Sequence, residues 1–178
     1  GSAIQIAAPK VVANPSGGFY ITGTFEGTKN FGSISLTATG ASDAYLAKCD
    51  NSGNFIWAKR FGGIGSGTTY GNGVCVDNVG NVYLCGDFTN YLVIDTNYVL
   101  SLGQTDIFIV KLDASGNILD YARTGGYTAD NGQGLTADLQ GNIYMCGSFS
   151  YRIYFDNDSV SSYGQDDIYL AKLNSNLN

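Results

Sequence analysis

Three aspartates, Asp43, Asp106 and Asp167, recur at intervals of 63 and 61 residues, and a lysine follows each one five positions later, at Lys48, Lys111 and Lys172. A second set, Asp50, Asp77, Asp113 and Asp138, sits at Gly- and Asn-rich tips. Paired carboxylates can work as acid and base across a glycosidic bond, and clustered ones can hold calcium. Repetition argues against both uses, because an active site needs one asymmetric constellation whereas a structural role returns in every unit. The chain also contains no histidine, which removes the commonest general base and the commonest metal ligand. The aspartates are therefore expected to bond backbone amides at turns and strand starts. The lysines are expected to form ion pairs or to lay their stems over apolar surface. No catalytic residue, metal or cofactor is expected. The D-x-x-G-N tips lack the alternating oxygen ligands of a calcium loop. The acidic run Asp156-Asn157-Asp158 reads as a hairpin turn, with a weak divalent-cation site as the sharper alternative.

Binding chemistry is better represented than catalysis. Tyr91, Tyr98, Tyr127, Tyr151 and Tyr154 fall in the segments between the main apolar runs. A tyrosine ring offers a flat apolar face and a hydroxyl, suited to stacking on a sugar or anchoring a protein. These five are the candidate ligand-binding residues; packing of the same rings onto their own sheet is the alternative.

The elements that must carry them repeat. GGFYITGTF at 17–25 returns as GNVYLCGDF at 80–88 and GNIYMCGSF at 141–149, and SDAYLAKCDNSGN at 42–54 returns as TDIFIVKLDASGN at 105–117 and DDIYLAKLNSNLN at 166–178. Each unit must bury its apolar surface against its neighbours. The units run 1–63, 64–126 and 127–178, as one structural body. Each supplies four principal strands, two tight hairpins and a variable middle segment that forms a small extra hairpin. The third lacks the counterpart of Phe55 to Arg60 and Ile118 to Arg123. Runs such as Ile107-Phe108-Ile109-Val110 are apolar without alternation, which implies cover on both faces. Four-stranded antiparallel sheets covered on both sides and repeated radially are the blades of a β-propeller. A parallel β-helix is the main competitor, and its shorter coils fit the D-x-x-G-N tips less well.

The pattern G-x-G-[VL]-x-[VA]-D-x-x-G-N-[VI]-Y-[LM]-C-G at 71–86 and 132–147, followed by D-I-[FY]-[IL]-[VA]-K-L, resembles the SBBP repeats of seven-bladed β-propellers. The resemblance implies an all-β propeller fold and a place in a secreted or surface protein of bacterial type. The first unit departs from it, with Ala8 and Lys10 where Gly71 and Gly73 stand and Asn14 in place of the turn Asp.

Composition narrows the partners. With 25 glycines, 13 tyrosines, 9 phenylalanines and 13% charged residues, the chain suits short strands and turns better than helices. A net charge of −6 without any basic cluster argues against nucleic acid. No apolar run reaches the roughly 20 residues of a membrane span. The Gly-Ser start reads as a cloning remnant. The four cysteines, Cys49, Cys75, Cys85 and Cys146, are expected as buried thiols, with a Cys75 to Cys85 bridge as the alternative.

The sequence thus predicts an all-β propeller segment of three four-stranded antiparallel blades. Rings of this type ordinarily hold about four to eight blades, so completion is expected from a second copy, with the dimer favoured, or from flanking blades. The stretch Ala3 to Ala8 is one candidate for a missing strand. The expected role is a non-enzymatic, extracellular or cell-surface binding or scaffold module that contacts a protein or glycan. A lectin-like sugar-binding oligomer is the alternative.

Overall fold

A computed structural model describes residues 8–155 and 158–178. The Ala3 to Ala8 stretch, apart from its last residue, and the pair Asp156-Asn157 lie outside the described residues. Alternating β-branched and aromatic residues between glycine turns produce an all-β chain: β1 (Lys10–Ala13), β2 (Phe19–Phe25), β3 (Thr28–Phe31), β4 (Ile34–Thr37), β5 (Asp43–Cys49), β6 (Phe55–Phe61), β7 (Thr69–Val76), β8 (Val82–Phe88), β9 (Tyr91–Ile94), β10 (Asn97–Leu100), β11 (Asp106–Leu112), β12 (Ile118–Thr124), β13 (Asp130–Ala137), β14 (Ile143–Phe155) and β15 (Asp158–Leu173).

These strands make three antiparallel sheets. Sheet 1 has the order β1-β2-β5-β6, sheet 2 the order β7-β8-β11-β12, and sheet 3 the order β13-β14-β15. In sheets 1 and 2 the middle segment folds into a separate hairpin, β3-β4 or β9-β10. In sheet 3 it is continuous with the main strands, and Arg152 to Phe155 pairs back on Asp158 to Ser161.

The hairpin tips explain the repeated aspartates. Asp77 Oδ1 accepts the amide N–H groups of Val79 at 3.0 Å and Asn81 at 2.8 Å, while its Oδ2 accepts Asn81 Nδ2 and the Tyr83 hydroxyl. Asp50, Asp113 and Asp138 repeat the backbone pattern. Gly80 closes the Asp77 turn at φ 93°, a conformation that costs glycine little. The Asn54, Asn117 and Asn142 amides, bonded to these carboxylates, are the chief cause that holds Asp50, Asp113 and Asp138 below the usual range.

Two cores form between the sheets. Tyr20, Leu46 and Phe61 of sheet 1 meet Leu84, Phe88 and Phe108 of sheet 2. On its other face, sheet 2 sets Tyr83, Ile107 and Ile109 against Met145, Phe149 and Tyr169 of sheet 3. A smaller cluster of Phe25, Phe31, Tyr45 and Ala47 covers the outer face of sheet 1, with Ile34 and Leu36 of its hairpin packed against it. Successive residues of β5 and β11 therefore serve opposite cores, as the non-alternating runs implied. Sheet 3 departs from that expectation. Ile168 and Leu170, counterparts of the buried Ile107 and Ile109, are 87% and 77% exposed, because no described element packs on that face. Each such side chain forgoes roughly 1.5–3 kcal/mol of burial.

The sheets approach most closely through their first strands, with β7 against β1 and β2, and β13 against β7 and β8. Bulges between Gly71 and Gly73 and between Gly132 and Gly134 shape these strands. A Cβ on Gly71 would lie 2.6 Å from Thr22 Oγ1 of sheet 1, and one on Gly73 3.1 Å from Leu135 N of sheet 3. The G-x-G pattern is thus a requirement of close inter-sheet approach. All four cysteines are free thiols: Cys49, Cys75 and Cys85 are buried, and Cys146 is exposed on the open face of sheet 3.

Candidate binding cleft at the junction of sheets 2 and 3

Three of the five tyrosines expected to bind a ligand come together. Tyr127, Tyr151 and Tyr154 line one open cleft of about 400 Å³ with Thr128, Arg152, Ser161 and Ser162. Tyr127 follows β12 on the Gly125-Gly126 loop, and the other two stand on the outer part of β14. An isolated antiparallel bridge between Gly125 and Tyr154 joins these elements, with the Tyr154 N–H donating to Gly125 O at 3.2 Å. The Thr124 hydroxyl also donates to Tyr154 O. Tyr91 and Tyr98 lie elsewhere, exposed on the β9-β10 hairpin, opposite Leu100 and Val93.

The cleft is held from beneath by Asp130, a fully buried residue that sequence reading did not single out. Its Oδ2 accepts the Gly126 N–H at 2.6 Å, which ties it to the loop that carries Tyr127, while its buried Oδ1 has no hydrogen-bond partner among the described residues. The Thr128 hydroxyl adds a bond to Ser150 O at 2.6 Å. Burial lifts the Asp130 pKa from 3.8 to about 6; the Gly126 bond opposes the rise and the Asp106 charge adds to it.

Tyr151 is the most unusual member. It is 79% exposed with φ at 65°, a left-handed conformation that is rare for a bulky side chain. Its counterpart Asn90 adopts φ 61°, where asparagine is well suited. The Tyr151 N–H donates to Ser162 Oγ at 3.2 Å. Arg152 Nε donates to Ser161 Oγ at 2.9 Å, and among the described residues no carboxylate pairs with its guanidinium. Three tyrosine rings, a cation and the hydroxyls of Thr128, Ser161 and Ser162 therefore converge. The sister junction between sheets 1 and 2 carries Ile64 after Gly62-Gly63, and Asn90 and Val93 on the hairpin, so it lacks all three rings at the corresponding positions.

The repeated lysines take another role. Lys48 donates to Ala114 O at 2.9 Å and Lys111 to Ser175 O at 2.7 Å, each in the turn of the next sheet. Lys48, Lys111 and Lys172 lie 5.6–5.7 Å from the ring centres of Tyr20, Tyr83 and Tyr144. The recurring Asp43 and Asp106 instead pair with Arg60 and Arg123.

A second polar cleft, lined by Lys10, Asn72, Asp87, Asn131 and Gln133, lies where the first strands meet. Asn72, on the β7 bulge, donates through Nδ2 to Asp87 Oδ1 at 2.6 Å and to Gly132 O of sheet 3 at 2.9 Å. Burial raises the Asp87 pKa to about 7, and the Asn72 bond offsets part of that rise. Among the described residues no three His, Cys, Asp or Glu side chains gather as a metal site requires, and no helix is long and apolar enough to cross a membrane.

Comparison with known proteins agrees with the sequence resemblance. Residues 56–87 match the family model SBBP, described as a beta-propeller repeat. The matched stretch spans most of β6 and the β7-β8 hairpin, including the G-x-G bulge and the Asp77 turn. No curated protein matches the chain.

Proposed function

We propose that the three sheets are blades of a β-propeller and that the chain is a non-enzymatic binding or scaffold module, extracellular or at the cell surface. Its cleft of Tyr127, Tyr151, Tyr154 and Arg152 takes a glycan. The observation that carries this reading is the convergence of three tyrosine rings around Arg152, with which no carboxylate pairs among the described residues, a combination that stacks on sugar faces and donates to their oxygens. The repeat match supports the blade arrangement, and the bare face of sheet 3 offers a place for further blades, from a second copy or from flanking sequence. The resemblance supports the surface location.

A lectin-like oligomer with a sugar pocket at every junction is the second reading. Ile64 and Asn90 at the sister junction favour a single sugar site per chain. An array of neutral and acidic saccharides, probed with the wild type, Tyr127→Ala and Tyr151→Asn, tests both. Asparagine at 151 keeps the left-handed backbone and removes the ring. Binding that falls at least tenfold in each variant supports the cleft. An array without hits, or binding unchanged in both variants, refutes it.

A further inference from the structure

One carboxylate of this chain stands apart from the repeated ones. Asp50, Asp77, Asp113 and Asp138 return at the turns and accept backbone amides, and Asp43 and Asp106 return before the third strands and accept an arginine. Asp87 does not return: Thr24 and Ser148 take its place in the other units. Its neighbour Asn72 is equally singular, with Pro9 and Gln133 at the corresponding positions. The pair makes one asymmetric constellation in the polar cleft where the first strands meet.

What this pair leaves free can only accept. Asn72 commits both N–H groups of its side-chain amide, one to Asp87 Oδ1 at 2.6 Å and one to Gly132 O at 2.9 Å. Asn72 Oδ1 and Asp87 Oδ2 remain, and among the described residues neither receives a donor. Asp87 is 5% exposed, and a carboxylate so enclosed ionises at a penalty unless a cation or several donors face it. Burial accordingly raises its pKa to about 7, whereas the turn aspartates are lowered by the amides they accept. Asp87 therefore weakens the fold at neutral pH instead of bracing it, as expected of a carboxylate held in a cleft for a ligand.

The cleft measures about 390 Å³, and its walls carry the amides of Asn131 and Gln133 beside Lys10 of β1. Lys10 is exposed and pairs with no carboxylate among the described residues. The other titratable groups around Asp87 are Tyr70 opposite it on β7, Cys85 on its own strand and Tyr169 of β15, none of them a cation.

We infer that this cleft binds a small hydroxylated primary amine, whose ammonium group docks on Asp87 Oδ2 and Asn72 Oδ1 while its hydroxyls bond the amides of Asn131 and Gln133. An ammonium brings three donors to a place that offers acceptors alone, and opposite charges make such bonds the stronger kind. A divalent metal fits less well, because Asp87 is the one carboxylate among the lining residues. The net charge of −6 draws cations toward the chain. The site is separate from the tyrosine cleft, and either can fail without the other.

The probe is 2-amino-1,3-propanediol, titrated into the intact protein at pH 7.5 while proton–nitrogen correlation spectra follow the Asn72 side-chain amide and the Gly73 and Gly132 backbone amides. Glycerol, the same molecule with a hydroxyl in place of the ammonium, is the control. The expected result is saturable millimolar binding of the amine, at least tenfold tighter than that of glycerol. Asp87→Asn keeps an acceptor for Asn72 and is expected to weaken the amine at least tenfold while leaving glycerol unchanged. Should that variant not fold, pH takes its place: protonation of Asp87 competes with the amine, so binding to wild type is expected to weaken several-fold from pH 7.5 to pH 6, and glycerol binding is not. Lys10→Gln removes a like charge and is expected to tighten the amine. No binding at tens of millimolar amine, equal binding of amine and glycerol, or amine binding that Asp87→Asn leaves intact overturns the inference. So does binding seen only in Lys10→Gln, which would place the chain's own ammonium in the seat.

Discussion

Asp87→Asn is the sharpest test of how the sheets are held. Asp87 is 5% exposed, and burial raises its pKa from 3.8 to about 7. Below pH about 4 the carboxyl is neutral in the folded and unfolded chain alike, and its contribution to stability is fully present. As pH rises, the unfolded chain ionises first while the folded one resists, so stability is lost up to pH about 7 and does not return above it. The rise in pKa corresponds to on the order of 4 kcal/mol between pH 4 and pH 8. Asparagine keeps an acceptor for Asn72 Nδ2 and cannot ionise. Urea unfolding at pH 5, 6.5 and 8 can be followed by the fluorescence of Trp57, the single tryptophan, whose ring centre lies 5.8 Å from that of Tyr20. Wild type is expected to lose stability between pH 5 and pH 8, and the variant to lose less, chiefly through a flat response above pH 6. Asp130, raised to about 6, supplies a residual slope below that point. A wild-type midpoint equal or higher at pH 8 than at pH 5, or an identical slope in the variant between pH 6 and pH 8, would falsify the assignment.

Two further outcomes are expected. Treatment with a thiol reagent at pH 8 should label one cysteine quickly, and Cys146→Ser should abolish the fast phase, because Cys146 is exposed while burial pushes Cys75 up to about 12 and Cys85 well above its ordinary value. Asp77→Ala should destabilise the chain by about 1–3 kcal/mol in the same urea assay, because it strands the Val79 and Asn81 amides and the Tyr83 hydroxyl. A loss below about 0.5 kcal/mol would mean that the turn forms without its carboxylate.

Features decided by a few neighbouring residues were legible in the chain. The Asp77 tip needs only its own carboxylate, Gly80 and Asn81, and apolar runs such as Ile107 to Val110 announce strands that serve two cores. Burial in the third unit was not legible. Ile168-Tyr169-Leu170 reads like Ile107-Phe108-Ile109, yet exposure depends on whether another sheet lies alongside. The same limit applies to the cleft. Tyr127, Tyr151 and Tyr154 converge because Gly125 bridges to Tyr154 across the sheet junction, whereas the hairpin of Tyr91 and Tyr98 makes the equivalent Gly62 to Val93 bridge with Ile64, Asn90 and Val93 in the places of the three rings. Asp87 and Asp130 were missed because three-dimensional enclosure perturbs them. The one local signal for Asp87 was a charge inside the apolar run VYLCGDF, at the position held by Thr24 and Ser148 in the other units.

The glycines of the first strands carry a geometric consequence. With only hydrogen at Gly73, β7 comes within reach of Leu135 of the next sheet, whose amide nitrogen would sit 3.1 Å from an added methyl. Alanine there would prise the pair apart at the inner end and leave the outer hairpins in touch, opening the assembly like a fan pushed from its pivot. These bare backbone positions therefore act as a protractor: they govern the angle at which each sheet meets the next.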